Sequence, residues 1–192
     1  MIKTENFEKV EISSAAELRT WLMEHHNQTA SVWLVIFKKH VGDKYVSIDE
    51  ILDELLCFGW IDGIARKLDD DRSLRLVSPR KVKHWAESYK RRAERLIKEG
   101  RMASAGLKSF EIAKETGAWA IMDDVDALSI PDDLAKILKA HPPATQMFDK
   151  SAPSYRRNIL RWLKLAKTSE TRAKRLKKIA QHAQNNKRIP QM

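Results

Sequence analysis

The sequence predicts an α+β fold, a small antiparallel or mixed β-sheet packed with helices and followed by a helical C-terminal module. Three observations predict it. The run Ser31-Val-Trp-Leu-Val-Ile-Phe37 is β-branched and aromatic with no polar alternation, which suits a strand covered on both faces and central to its sheet. Two further strand-like runs, Trp60 to Leu68 and Ser73 to Val77, flank the turn-prone Asp69-Asp70-Asp71-Arg72 and read as an antiparallel hairpin. From Val82 onward, apolar residues recur at helical spacing.

Taken in order, Phe7 to Ile12 reads as a short strand. A helix follows, its start marked by Ser14 and Glu17 at capping-box spacing and its apolar face by Leu18, Trp21 and Leu22. After the central strand and a turn containing Gly42, Ser47 and Glu50 repeat the capping-box spacing. Ile48, Ile51, Leu52, Leu55 and Leu56 form the stripe of a second helix, and Gly59 stops it. Beyond the hairpin, a helix is expected from Val82 to Lys98 and another from Ala103 to Thr116, closed by Gly100 and Gly117. Pro131 with Asp132 and Asp133 opens a helix to about Ala140. A short helix near Ala144 to Asp149 then precedes two longer ones, Pro153 to Ala166 and Ser169 to Asn185, and Asn186 to Met192 reads as disordered. The expected organisation is an α+β core domain over residues 1–125 and a basic helical module over 126–192 packed on the core.

The net charge of +10 is unevenly spread. Met1 to Asp149 holds 23 basic and 25 acidic residues, whereas Lys150 to Met192 holds 13 basic residues and one acid, Glu170. In the penultimate helix Arg157, Arg161 and Lys164 share a face apart from the stripe Tyr155, Ile159, Trp162, Leu163 and Ala166. In the last helix Lys174, Arg175, Lys177 and Lys178 point away from Ala173, Leu176, Ile179, Ala180 and Ala183. These seven cations are the candidate contacts to a polyanion, either nucleic acid or an anionic lipid surface. A protein partner is the other expectation.

No apolar run approaches the roughly 18 residues of a membrane-spanning helix, and Met1 to Asn6 lacks the basic-then-apolar pattern of a signal peptide, so a cytoplasmic location is expected. A lone Cys57 can form neither an internal disulfide nor a cysteine metal site, and near a helix C-terminus it reads as a buried small hydrophobe. His25, His26, His40, His84, His141 and His182 are scattered without ligand spacing, so no metal is expected. No phosphate-binding glycine loop, dinucleotide fingerprint or nucleophile elbow is present, so no cofactor is expected and binding is favoured over catalysis.

The block Leu56-Cys-Phe-Gly-Trp-Ile-Asp-Gly63, then Ser78-Pro79-Arg80, Gly100-Arg101-Met102, and finally Ala166-Lys167 with Glu170-Thr171-Arg172 resembles the YdeI/OmpD-associated family, also labelled bacteriocin-protection proteins. The chain departs from the family pattern at Lys83-His84 and at Tyr89. The resemblance implies a bacterial cytoplasmic protein linked to protection against antimicrobial peptides or to envelope stress. It implies no catalytic residue set.

The same block supplies the candidate ligand site. Period-two alternation places Trp60, Asp62, Ile64 and Arg66 on one face of the first hairpin strand, so that Asp62 and Arg66 pair directly or across a ligand. The second strand brings Arg75 and leads to Arg80, with Trp85 beyond. Guanidinium groups bind carboxylates and phosphates bidentately, which makes this a candidate small-anion pocket. Three functions therefore stand open: a protection protein that acts by binding, a small-anion-binding protein or enzyme without a signature motif, and a nucleic-acid-binding protein that uses the basic helices.

Overall fold

The computed structural model describes residues 6–81 and 84–190. Four strands make one mixed sheet: β1 (Lys9–Ile12), β2 (Val32–Phe37), β3 (Trp60–Lys67) and β4 (Arg72–Pro79), in spatial order β1-β2-β4-β3. The wholly apolar β2 is central, as its sequence requires. It pairs in parallel with β1, Val10 opposite Leu34, and antiparallel with β4, Leu34 opposite Arg75. A parallel neighbour needs a crossover, which helix α1 (Ala15–His25) supplies.

Alternation along β2 divides the sheet into two faces. Val10, Ile12, Val32, Leu34, Trp60 and Val77 belong to the main core with residues of the helices, including Leu18, Leu22, Ile51 and Leu55. Trp33, Val35 and Leu74 bury themselves in a smaller cluster on the other face, against Phe7, Leu68 and Leu76. The β3–β4 turn is held by Asp69, whose carboxylate accepts from the backbone amides of Asp71 and Arg72 and from the Arg72 guanidinium.

In α2 (Ile48–Cys57) the capping box is complete. Ser47 Oγ accepts from the Glu50 amide, and the Glu50 carboxylate accepts from the Ser47 amide. In α1, Ser14 caps Glu17 as expected, but the Glu17 carboxylate turns to the amide and hydroxyl of Ser13. Gly59 then takes φ +73° and leads directly from α2 into β3. Helix α3 runs Glu87–Lys98. The expected start at Val82 and Lys83 lies outside the described residues, and His84 to Ala86 are not helical. Helix α4 (Ser104–Glu115) crosses the end of α2 at Gly106, where a Cβ would stand 2.3 Å from the Cys57 carbonyl oxygen. Only glycine allows that approach.

The chain divides into two compact units, Met1–Ala120 and Ile121–Met192. The second is helical: α5 (Asp123–Asp126), α6 (Asp132–Lys139), α7 (Ala144–Asp149), α8 (Pro153–Lys164) and α9 (Ser169–Gln184). Its core gathers Met122, Leu134, Leu138, Phe148, Ile159, Leu160, Leu163 and Ile179. The short α5 has no counterpart in the expected elements, because four residues are too few for a periodic signal. The stretch after α9 corrects a second expectation. Instead of being disordered, it carries Ile189, which is 3% exposed and whose amide donates to the Tyr155 hydroxyl at 2.9 Å. A single apolar residue with one backbone tether leaves no pattern in a sequence. Gln191 and Met192 lie outside the described residues.

Candidate functional site

In the first unit, a β-bulge decides which of the expected residues meet. Asp62 faces Val77 and Ala65 faces Arg75, so Gly63 and Ile64 together occupy the space opposite Leu76. The extra residue reverses the alternation. Asp62 stays on the main-core face with Arg75, while Arg66, opposite Leu74, passes to the other face. The expected Asp62–Arg66 pairing is therefore corrected: Arg66 lies over the Trp33 ring, 5.2 Å from its centroid. A strict period of two cannot foresee the inserted residue.

Asp62 is instead held by Arg75 and Tyr89. Arg75 Nη1 donates to one carboxylate oxygen at 2.6 Å and the Tyr89 hydroxyl to the other at 2.7 Å. Burial, and then the hydrogen bond to Asp62, push the Tyr89 hydroxyl well above the usual tyrosine range. The Tyr89 ring also flanks Arg80, whose guanidinium carbon is 4.0 Å from the Trp85 ring centroid and 5.1 Å from that of Tyr89. Arg80 Nη2 donates to the His84 carbonyl at 2.9 Å. Among the described residues, its buried Nε and Nη1 meet no hydrogen-bond acceptor, and neither does Arg75 Nε. Burial accordingly lowers the Arg80 pKa.

The two expected tryptophans serve the core. Trp60 is 1% exposed, donates Nε1 to the His26 carbonyl at 3.1 Å and meets Trp21 edge-on. Trp85, also 1% exposed, packs against Trp119 on one side and under Arg80 on the other. Asp62, Arg75, Arg80 and Trp85 thus converge through Tyr89, and Trp60 and Arg66 stand apart. Tyr89 stood out in the sequence as a helical-stripe position and as a departure from the family pattern, with no role in the site. Its hydroxyl, bonded to Asp62, and its ring, beside Arg80, could be placed only by the fold.

A denser charge cluster escaped the sequence reading. Asp53 and Glu54, on α2, are 7% and 5% exposed. Arg19 from α1 meets Glu54 at 2.8 Å, and Arg101 bridges Glu54 at 2.7 Å and Asp53 at 3.2 Å. From α3, Arg95 binds Asp53 at 2.7 Å, and Arg92 joins Asp53 to Asp49. Burial by itself raises the Asp53 pKa, but hydrogen bonds from Arg95 and Arg92 outweigh it and hold the carboxyl below its usual range. The neighbouring Cys57 thiol is pushed up by burial and then by the Glu54 charge, which leaves it a weak nucleophile. A signal did exist. The α2 segment carries Asp49, Glu50, Asp53 and Glu54 with no base, and α3 answers with Arg91, Arg92 and Arg95.

In the second unit the seven candidate cations separate. Lys164 pairs with Asp124 at 2.6 Å and Lys174 with Glu170 at 2.6 Å. Arg175 donates to the Trp162 carbonyl and lies over the Trp162 ring, 4.9 Å from its centroid. Arg161 is half-buried, with its Nε sealed from solvent, and Arg157 is half-buried beside it. Lys177 and Lys178 are exposed, and among the described residues neither has an ion-pair partner. The outward display predicted for all seven is corrected for Lys164, Arg161 and Arg175, because acids and carbonyls from the same unit engage them or the helix packing covers them.

Among the described residues, no group of three or more His, Cys, Asp or Glu side chains is arranged to hold a metal ion. None of the described helices is long and apolar enough to cross a membrane.

Comparison with known proteins divides the chain in a parallel way. Residues 10–109 match the family model described as Domain of unknown function (DUF8412), and residues 127–186 match the one described as Bacteriocin-protection, YdeI or OmpD-Associated. No curated protein and no solved structure matches the chain. The motif blocks from Leu56 to Met102 lie inside the first match, and Ala166-Lys167 with Glu170-Thr171-Arg172 lies inside the second. With more than half of its 192 residues under the first model, the chain belongs to the family described as Domain of unknown function (DUF8412), and over 127–186 it carries a domain of the bacteriocin-protection, YdeI or OmpD-associated family.

Proposed function

We propose that the protein protects bacterial cells against bacteriocins or antimicrobial peptides, and that it does so in the cytoplasm by binding an anionic partner rather than by catalysis. The observation that carries this reading is a coincidence of place. The match over 127–186 contains α9, whose Lys177 and Lys178 stand exposed and unpaired among the described residues. Exposed cations without internal partners attract phosphates or carboxylates and repel positively charged peptides. Protection through this face therefore runs through an anionic target and not through direct capture of a cationic toxin. The single cysteine agrees with a cytoplasmic compartment, since a secreted chain of this size would more often carry pairs.

The test is survival of a bacteriocin-sensitive bacterial strain that expresses the chain. The full chain is expected to raise survival, and Lys174→Glu/Lys177→Glu/Lys178→Glu to remove the gain while the Tm of the purified protein stays unchanged. No gain from the unaltered chain overturns protection. An equal gain from the triple variant overturns binding through α9.

A second reading, small-anion binding in the first unit, is favoured by Arg80. A buried guanidinium with two nitrogens that meet no acceptor among the described residues is costly, and a carboxylate or phosphate would accept from one of them. A ligand that binds only the folded state raises Tm. Phosphate or small carboxylates should therefore raise the Tm of the native chain and not of Arg80→Met. Equal shifts in both proteins count against the site.

A further inference from the structure

Well-packed interiors hold few voids larger than a water molecule, yet the 121–192 unit contains a half-open cleft of about 250 Å³. It lies between the end of α7, the start of α8 and the end of α9 with the segment that follows. Its apolar wall is built from Phe148, Ile159 and Ile179, which are 2%, 1% and 2% exposed and belong to the core. Among the described residues that line it, every charged side chain is a cation: Lys150, Lys187 and Arg188. This division differs from the α9 face, where Glu170 answers Lys174.

The cations are positioned by structure. Lys150 caps α7. Lys187 and Arg188 ride on the segment after α9, which is tied at both sides of them. The Lys187 amide donates to the His182 carbonyl at 2.8 Å, and the Ile189 amide donates to the Tyr155 hydroxyl at 2.9 Å. The Arg188 guanidinium lies over the ring of the same Tyr155, 5.5 Å from its centroid. Tyr155 itself lines the cleft, so one side chain both anchors the segment and aims its arginine.

We propose that this cleft binds a single-chain amphiphile with an anionic head: the hydrocarbon lies against Phe148, Ile159 and Ile179, and a carboxylate or phosphate is held by Lys150, Lys187 and Arg188. The size fits. An apolar cavity of about 150 Å³ accommodates benzene, so this cleft takes a hydrocarbon segment longer than one ring. The chemistry fits as well, because buried Phe148, Ile159 and Ile179 offer carbon at the floor while exposed Lys150, Lys187 and Arg188 offer positive charge at the rim. This site is separate from the lysine face of α9 and does not depend on it.

Isothermal titration of the full chain with decanoate, decyl phosphate, decanol and inorganic phosphate tests the assignment. Decanoate or decyl phosphate is expected to bind with one-to-one stoichiometry and about tenfold or more tighter than decanol, with inorganic phosphate weaker still. The tighter of the two anions identifies the preferred head. Lys150→Gln/Arg188→Gln should cut the affinity for the anionic amphiphile about tenfold and leave decanol unchanged, and Ala183→Leu, which fills the cleft, should weaken both. A Tm measured on each variant establishes that it is folded. Equal affinity for decanoate, decyl phosphate and decanol, or unchanged anion affinity in the double variant, overturns the proposal. Lys174→Glu/Lys177→Glu/Lys178→Glu should bind decanoate as the native chain does, so loss of protection and loss of the cleft are read independently.

Discussion

The two units use cations in opposite ways. Residues 1–120 hold 21 basic and 19 acidic side chains, and six of the arginines are engaged within the unit: four of them close on Asp53 and Glu54, one on Asp62, and one stands over the Trp85 ring. Residues 121–192 hold 15 basic and seven acidic side chains, so their cations outnumber the acids able to hold them. Asp124, Asp133 and Glu170 engage Lys164, Arg172 and Lys174, and a surplus remains on the surface. Balanced charge supports a fold, whereas surplus charge stays open to water and to an outside partner. Substitutions in the two units should therefore separate stability from binding.

The largest effect is expected at Asp53. Asp53→Asn keeps the shape of the side chain and removes the charge that Arg92, Arg95 and Arg101 share. Breaking a buried ion pair from one side costs about 3–5 kcal/mol. Because Arg95 and Arg101 are 44% and 37% exposed, the loss should fall near the lower end, about 3 kcal/mol by urea unfolding. A loss under about 1 kcal/mol would class the cluster with ordinary surface pairs. The pH dependence has a definite sign. With the folded pKa of Asp53 below its ordinary 3.8, its contribution is complete above that value and is lost as pH falls through the folded pKa. Native stability should thus drop more steeply than that of Asp53→Asn below about pH 4.

That cluster also marks the limit of what the sequence made legible. The four strands, the central place of β2 and the second capping box rest on local patterns, and each of them formed close to its expected bounds. That Asp62 and Arg75 share one hairpin was legible because hairpin pairing is nearly local, although the partner expected for Asp62 was Arg66. Arg66 was not, since the bulge at Gly63 and Ile64 carries it to the opposite face. Nor was the Asp53–Arg101 contact, which joins residues 48 positions apart. In the second unit, helical periodicity separated the stripe from the cations but could not tell which cations other helices would neutralise. Asp133, read only as an acid near a helix start, and Asp124, to which the sequence reading gave no place, proved to be the partners of Arg172 and Lys164.

A middle effect is expected where the second unit imitates the first. Arg172 grips Asp133 with two nitrogens, at 2.6 and 2.9 Å, and holds its carboxyl below the usual range. Both partners are about a third or more exposed, so Asp133→Asn should cost about 1 kcal/mol in the same unfolding measurement. A loss as large as that at Asp53 would mean that the second unit, too, depends on its ion pairs.

The smallest stability effect is expected at the surplus itself. Lys177→Gln/Lys178→Gln removes two exposed cations that have no ion-pair partner among the described residues, and α9 keeps good helix formers at both positions. The unfolding free energy should change by less than about 0.5 kcal/mol. Relief of like-charge repulsion among Lys174, Lys177 and Lys178, which are neighbours on one helix, would even raise it slightly. Retention of the same variant on an anionic support should nonetheless fall, eluting at lower salt than the native chain, because each lost cation releases one fewer counterion on binding. Stability kept and retention lost would show that these lysines are retained for a partner. If both stay unchanged, the contacts to a polyanion shift to other cations of the unit; if stability drops by more than about 1 kcal/mol, the lysines belong to the fold and the contrast between the units fails.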